Sequence, residues 1–170
     1  FPTRRSSDLS EIQQVLVQKT IAAEDSVVYQ NFATIMEWAK ERKTLVVKAN
    51  ADNPTEAAIA LAFGAEGIAL YRTEHTLADE ASISSFRKVI LASDKASRIG
   101  FLNELLQSQT VNLAETLAVM DGKPVRMRTI DAPFHEFLPH GEGQDIDNIV
   151  TDLAAALNIT PAEVHDRIKS

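Results

Sequence analysis

Three short apolar runs that alternate with helical patterns constrain the fold of this 170-residue chain more than any other feature. The first run, residues 44–50, is followed by Asn53 and Pro54, a capping residue and a first-position proline that together start a helix. Gly64 ends that helix, and the second run covers residues 67–71. A strand, a helix and a second strand joined by short connections form the unit of a parallel sheet.

The same alternation continues toward the C-terminus. The third strand is predicted over residues 125–130 and a loop over residues 131–144. Helical spacing of apolar residues predicts helices over 32–39, 84–91, 96–107, 111–120 and 145–157, with a last one starting at 160. Three strands alternating with helices fit an α/β fold, either an open doubly wound sheet or part of a (β/α) barrel of eight strands.

The N-terminal 30 residues are predicted to lie outside this domain. Residues 1–9, Phe-Pro-Thr-Arg-Arg-Ser-Ser-Asp-Leu, look like the translation of a sequencing-adapter oligonucleotide, so we predict that they are an artefact. On that interpretation the natural protein extends upstream and this chain is a fragment. Residues 10–30 are polar, lack a sustained period and are predicted to be a linker from a preceding domain.

Composition excludes several classes of partner. The formal net charge is −7 and no run of Lys or Arg occurs, which argues against nucleic acid. The chain has no cysteine, which excludes disulfides, thiolate zinc sites and a cysteine nucleophile within these residues. No apolar stretch approaches the roughly 18 residues that a membrane span needs. We therefore expect a soluble, cytoplasmic protein without a membrane partner.

Two arginines stand at the carboxyl ends of apolar runs, Arg72 after the second and Arg128 near the end of the third. Ligands of parallel α/β folds sit at this edge, and a planar, permanently charged guanidinium suits a phosphate or carboxylate. Glu74 and Asp131 follow closely and could either orient the arginines or neutralise them in structural salt bridges. Arg126 shares the strand face of Arg128, but the position nearer the carboxyl end favours Arg128.

Other catalytic patterns are absent from the sequence. The four histidines lie outside known zinc spacings, so no metal ligands are predicted in this chain. His75 and His135 follow the two strand ends and could hydrogen-bond a substrate, whereas His165 is predicted to lie on the surface of a helix. No phosphate-binding loop and no dinucleotide-binding glycine pattern occurs.

Three separated segments resemble, in order, the phosphoenolpyruvate (PEP) binding barrel of the pyruvate, phosphate dikinase family. They are residues 48–54 (KANADNP), 64–75 (GAEGIALYRTEH) and 128–139 (RTIDAPFHEFLP), and the similarity extends over about residues 21–170. The resemblance implies a partial (β/α)8 TIM-type barrel with about three of eight parallel strands and a helical insertion between strands two and three. Residues 31–170 would be the N-terminal part of this PEP/pyruvate-binding barrel.

The resemblance also implies a function. Arg72 and Arg128 would be catalytic and substrate-binding residues that hold the phosphoryl group of PEP as it moves between pyruvate and a phosphohistidine, with Glu74 and Asp131 behind them. Mg²⁺ would be the cofactor, with its ligands outside this chain. The phosphohistidine and ATP-binding domains of the same parent polypeptide would be partners, and the parent would be a homodimer.

In this family the full-length enzyme converts ATP, pyruvate and phosphate to AMP, PEP and diphosphate, and we expect this chain alone to be inactive. An alternative is an Enzyme I type PEP-protein phosphotransferase, which has a similar Tyr-Arg-Thr-Glu segment. Enzyme I typically follows the third-strand arginine with a Gly-Gly-Asp-Lys type stretch, whereas this chain has PFHEFLP at residues 133–139. A noncatalytic PEP-binding paralogue is the second alternative.

Overall fold

The computed structural model describes residues 10–77, 79–131, 133–141 and 143–169, so the predicted adapter segment, residues 1–9, lies outside the described residues. The strands are β1 (Ala49–Asn50), β2 (Ile68–Arg72) and β3 (Val125–Arg128). The helices are α1 (Glu11–Gln13), α2 (Val27–Arg42), α3 (Pro54–Ala62), α4 (Glu80–Leu91), α5 (Lys95–Met120), α6 (Phe134–Phe137), α7 (Gln144–Leu157) and α8 (Pro161–Lys169). None of these described helices is long and apolar enough to cross a membrane.

The three strands form one parallel sheet in the order β1-β2-β3. Ile68 pairs with Ala49 on one side and with Val125 on the other. Just before β2, the backbone of Gly67 lies so close to the entry of β3 that a Cβ atom there would be 2.7 Å from the carbonyl oxygen of Pro124. Only glycine allows the two strands to start at this separation.

The helices of both crossovers cover the same face of the sheet. α3 connects β1 to β2, α5 leads into β3, and the two helices pack on each other. They share one buried cluster with β2, formed by Ala51, Ala57, Ile68, Tyr71 and Met120. Sequential strand order with crossover helices on one face is compatible with part of an α/β barrel, whereas a doubly wound sheet has helices on both faces.

A second core lies in the C-terminal helices, away from the sheet. α4, α7 and α8 contact one another around a cluster that comprises Leu91, Leu138, Val150, Leu153, Ala154 and Val164. Two arginines add hydrogen bonds between helices. Arg87 Nε of α4 donates to the Phe137 carbonyl oxygen of α6 at 2.6 Å, and Arg167 Nη1 of α8 donates to the Leu91 carbonyl oxygen of α4 at 2.7 Å.

The predicted helix start at Asn53 is confirmed. The Asn53 side chain accepts a hydrogen bond from the Glu56 backbone N–H at 2.9 Å, and Pro54 is the first residue of α3. Gly64 follows the helix with a φ of +90°, the left-handed conformation that glycine adopts without strain. Local sequence rules therefore determine both ends of this helix.

Two predictions in the N-terminal half differ from the structure. α2 begins at Val27, inside the predicted linker 10–30, because Ser26 caps it by accepting from the Tyr29 backbone N–H at 3.1 Å. The strand predicted over residues 44–50 is reduced to β1, and Val46 is 62% exposed rather than buried. β1 is the edge of the sheet, so pairing on one side leaves that run uncovered.

The region between β2 and β3 contains fewer helices than predicted. Residues 96–107 and 111–120 belong to the single helix α5, since Ser108 and Thr110 donate their hydroxyls to carbonyl oxygens of the preceding turn and do not break it. The third strand ends at Arg128 instead of residue 130. The predicted loop 131–144 contains the short helix α6.

Candidate functional site

The carboxyl ends of all three strands meet at one edge of the sheet, and the site is built there. Arg72 is the last residue of β2 and Arg128 the last residue of β3, and the two are paired in register. Asp52 follows β1 by two residues. Parallel pairing therefore brings both predicted arginines together, and it adds a carboxylate that the spacing analysis had not singled out.

Asp52 holds Arg72 by two contacts. Its Oδ1 accepts from the Arg72 backbone N–H at 2.7 Å, and its Oδ2 accepts from Arg72 Nη1 at 2.9 Å. The same Oδ2 lies 2.8 Å from Nδ1 of His75. The Asp52 side chain is only 11% exposed, which strengthens these charge-assisted hydrogen bonds relative to surface pairs.

Glu74 holds the second arginine. Arg128 Nη2 donates to Glu74 Oε1, and the Glu74 side chain is 10% exposed. The contact is single rather than bidentate: within the described part of the chain, the buried Arg128 Nε and Glu74 Oε2 have no hydrogen-bond partner. The ion pair between Arg128 and Glu74 therefore uses only one contact between the two side chains.

The turn after β2 is fixed from both sides. It is a 3-10 turn, Thr73–Thr76, in which Thr76 Oγ1 donates to the Thr73 carbonyl oxygen at 2.6 Å. Thr73 Oγ1 donates to the Arg128 carbonyl oxygen at 3.1 Å, which ties the turn to β3. Gln109 of α5 donates to Thr76 Oγ1 from the other side. The long helix therefore supports the segment that carries Glu74.

The other candidate residues lie away from these contacts. Asp131 is exposed, and the carboxylate that pairs with Arg128 is Glu74. Arg126 is also exposed. His135 lies in the short helix α6, where its carbonyl oxygen contacts the His140 ring, and the exposed His165 lies on α8 as predicted.

The residue that sequence reasoning missed is Asp52. Its signal was present, because it follows the first apolar run as Arg72 follows the second, and equivalent positions in a parallel sheet share an edge. The expected local partners, Glu74 and Asp131, were chosen by proximity along the chain. The structure instead pairs each arginine with a carboxylate from the neighbouring strand's end: Arg72 with Asp52, and Arg128 with Glu74.

A polar cavity of about 540 Å³ opens beside this edge, lined in part by Asp52, Glu74 and His75. The two arginines and their two carboxylates balance in charge, so recognition of an anion here depends on directed N–H groups more than on net positive charge. Across the described ranges, no three His, Cys, Asp or Glu side chains gather as metal ligands.

A buried tyrosine precedes Arg72 in β2. Tyr71 is 1% exposed, and burial raises the pKa of its hydroxyl above the ordinary value. Its side chain belongs to the buried cluster that includes Met120 of α5.

Comparison with known proteins gives consistent matches. The sequence profile of a family described as PEP-utilising enzyme, PEP-binding domain, matches residues 27–158. A pyruvate, phosphate dikinase of Rhizobium meliloti is 40% identical over 138 residues, 81% of this chain and 15% of the relative. The pyruvate, phosphate dikinase of Giardia intestinalis is 37% identical over 142 residues, 84% of this chain and 16% of the relative.

A chloroplastic pyruvate, phosphate dikinase 1 of Arabidopsis thaliana is 42% identical over 136 residues, 80% of this chain. It is covered over 14% of its own length. The chain thus spans about one seventh of the length of these curated relatives. The resemblance carried by the three sequence segments is confirmed.

Proposed function

This chain belongs to the family of PEP-binding domains of PEP-utilising enzymes, and we propose that Arg72 and Arg128 bind the phosphoryl group of PEP in it. One observation carries the proposal: the two arginines are register partners at the carboxyl ends of adjacent parallel strands. Substrates of parallel α/β folds bind at this edge. Family membership supports PEP as the anion.

The contacts of the two arginines support a ligand between or beside them. A guanidinium has five N–H donors in a fixed plane, and the contacts with Asp52 and Glu74 use only part of each fork. The Arg72 and Arg128 side chains are 29% and 39% exposed, so their guanidinium groups are accessible to a phosphoryl oxygen. Because the carboxylates already hold the guanidinium groups, little reorganisation is needed when charge develops on the phosphoryl oxygens.

The proposed reaction is a phosphoryl transfer. The bond between phosphorus and the enol oxygen of PEP breaks, a phosphorus–nitrogen bond forms to a histidine of a separate domain, and the released enolate takes up a proton to become pyruvate. Arg72 and Arg128 stabilise charge on the phosphoryl oxygens as the group moves. Mg²⁺, with ligands contributed from outside this chain, would add charge neutralisation when bound.

We further propose that the chain is the N-terminal part of a (β/α)8 barrel in a larger dikinase. Three parallel strands in sequential order, and relatives named pyruvate, phosphate dikinase, support this. The parent would convert ATP, pyruvate and phosphate to AMP, PEP and diphosphate as a homodimer. The cited relatives favour this reaction over that of Enzyme I. The 170-residue chain alone is expected to show no turnover in a coupled pyruvate assay.

The test compares two arginines of β3 in the full-length polypeptide that carries this chain. Lysine keeps the charge but loses the planar fork, so Arg128→Lys is expected to lower kcat/KM on the order of 10²-fold or more. Arg126→Lys, on the same strand but exposed, is the matched control and should keep full turnover. Turnover is measured with PEP, and melting temperature is measured in parallel.

The opposite result has a distinct signature. If Arg128→Lys leaves turnover intact and lowers only the melting temperature, its pair with Glu74 is a structural salt bridge and the proposal is wrong. The same comparison with Arg72→Lys checks the second arginine.

A further inference from the structure

One carboxylate organises the end of β2. Asp52 accepts hydrogen bonds from the backbone and the guanidinium of Arg72, and its Oδ2 lies within 2.8 Å of His75 Nδ1. It therefore fixes the chain direction at Arg72, the direction of the guanidinium and the orientation of the imidazole. The Arg72 and His75 side chains keep exposures of 29% and 54%, so both remain accessible to a ligand.

Asp52 is itself held in place by the chain on both sides. The Ala51 backbone N–H donates to the Leu70 carbonyl oxygen at 3.3 Å, which continues the pairing of β1 with β2. The Asp52 backbone N–H donates to Glu56 Oε2 at 2.9 Å, in the first turn of α3. The carboxylate is thus fixed between a strand end and a helix start.

We propose that Asp52 is a positioning residue, which holds the Arg72 guanidinium and the His75 imidazole in the orientation that PEP binding and phosphoryl transfer require. This rests on the function proposed above. With Nδ1–H donating to Asp52, the opposite ring nitrogen of His75, Nε2, is the one presented to a ligand. Asp52 acts through these two side chains and does not touch the phosphoryl group.

Asparagine is the discriminating substitution. In Asp52→Asn the amide oxygen can still accept from the Arg72 backbone N–H, so the shape and the main-chain contact are retained. The amide nitrogen is a donor, and it would face two other donors, Arg72 Nη1 and His75 Nδ1. The substitution therefore removes the contacts with the Arg72 guanidinium and the His75 imidazole and retains the contact with the Arg72 backbone.

The experiment measures PEP turnover and melting temperature in the full-length polypeptide. Asp52→Asn is expected to lower kcat about 10- to 100-fold, as loss of a group that orients a site residue does, with a smaller change in KM. Asp94→Asn is the matched control, because Asp94 lies outside the lining of the polar cavity beside the strand ends and caps α5, accepting from the Ser97 backbone N–H at 2.9 Å. Its turnover should stay within about twofold of wild type, since Asn caps as well as Asp.

A double-mutant cycle separates positioning from general stability. If Asp52 acts mainly through Arg72, then Asp52→Asn costs little additional turnover in an Arg72→Lys background. Asp52→Glu, which keeps the carboxylate, should recover part of the turnover that asparagine loses. It also provides a folded comparison if Asp52→Asn does not fold.

Each contrary outcome is decisive. Full turnover in Asp52→Asn overturns the role of Asp52. A loss in Asp94→Asn or in Asp52→Glu as large as that in Asp52→Asn does so as well. Each of these outcomes leaves the proposed function standing. Absence of PEP turnover in the wild-type polypeptide overturns the proposed function, and the role of Asp52 with it.

Discussion

The sheet region, formed by β1–β3 with α3 and α5, differs from the C-terminal helical region, formed by α4, α7 and α8, in how completely each buries its apolar residues. The helical region encloses its own cluster, with Val150, Leu153 and Val164 at most 2% exposed. The sheet region leaves large apolar side chains exposed, namely Leu102, Leu106, Leu117 and Met127, and Val46 and Ile130, which flank its strands, are exposed as well.

An apolar cavity of about 550 Å³ lies between α5 and the end of β3, lined in part by Leu102, Leu106 and Ile130. The ion-paired arginines lie in the same region. The helical region therefore has a buried apolar core of its own. The sheet region combines an incomplete apolar surface with the candidate site, as expected of a sheet that continues in a larger barrel.

The largest expected effect compares the same substitution in both regions. Leu153→Ala removes a 2% exposed side chain from the helical core and should lower the free energy of unfolding by about 2–5 kcal/mol. Leu106→Ala, on α5 at 59% exposure, should change it by less than about 0.5 kcal/mol. Urea denaturation of the 170-residue chain measures both.

The same pair of variants sharpens the comparison in the full-length polypeptide. If further chain covers α5 there, the cost of Leu106→Ala rises toward that of a buried leucine, while the cost of Leu153→Ala stays the same. Equal costs for the two variants in the isolated chain would contradict the difference between the regions.

The second effect tests the tight contact inside the sheet region. Gly67→Ala would place a methyl group 2.7 Å from the Pro124 carbonyl oxygen, and overpacking of this kind costs about 1–3 kcal/mol. Gly100→Ala is the control: Gly100 lies inside α5 with no atom within 4 Å of an added Cβ, so alanine should stabilise by about 0.5–1 kcal/mol. If Gly67→Ala leaves the free energy of unfolding unchanged or raises it, the strand spacing is not rigid.

Local chemistry made much of the fold predictable. Asn53, Pro54 and Gly64 mark the ends of α3 by rules that involve only neighbouring residues, and the alternation of runs predicted the parallel strands. The predictions that failed concern the extent of elements, which depends on contacts with residues that are distant along the chain. Residues 44–50 were predicted to be a buried strand, but β1 is an edge strand. The two helices predicted over 96–107 and 111–120 are one helix, α5, in which the Ser108 and Thr110 hydroxyls donate to carbonyl oxygens of the preceding turn.

The sequence predicted the two arginines at the strand ends but not which carboxylate pairs with each of them. Arg72 and Arg128 were identified because strand ends in a parallel sheet share an edge. Their partners depend on register across strands, which one sequence does not specify, so Asp52 was missed and Asp131 was overvalued. The catalytic roles of both arginines stay predictions until their turnover is measured.

The smallest expected effect concerns the response to acid of one helix from each region, because α4 and α3 are capped by different groups. Asp79 caps α4, and its hydrogen bonds with Ser82 hold the pKa of the Asp79 carboxyl below its ordinary value. A group with a lowered pKa stabilises the fold above its ordinary pKa and loses that contribution as the pH falls through the folded-state pKa. The cap of α3 in the sheet region is Asn53, which does not titrate.

Exchanging the two caps should therefore exchange this part of the acid response. Asp79→Asn keeps a capping oxygen but removes the titration, so its melting temperature should fall less than that of the wild type between about pH 5 and pH 3. Asn53→Asp adds a titrating cap to α3 and should make the fall steeper over the same interval. The measurement is thermal unfolding followed by circular dichroism across that pH range, with the wild type and the double exchange as references. Superimposable profiles for all four proteins would show that these caps do not contribute to acid stability.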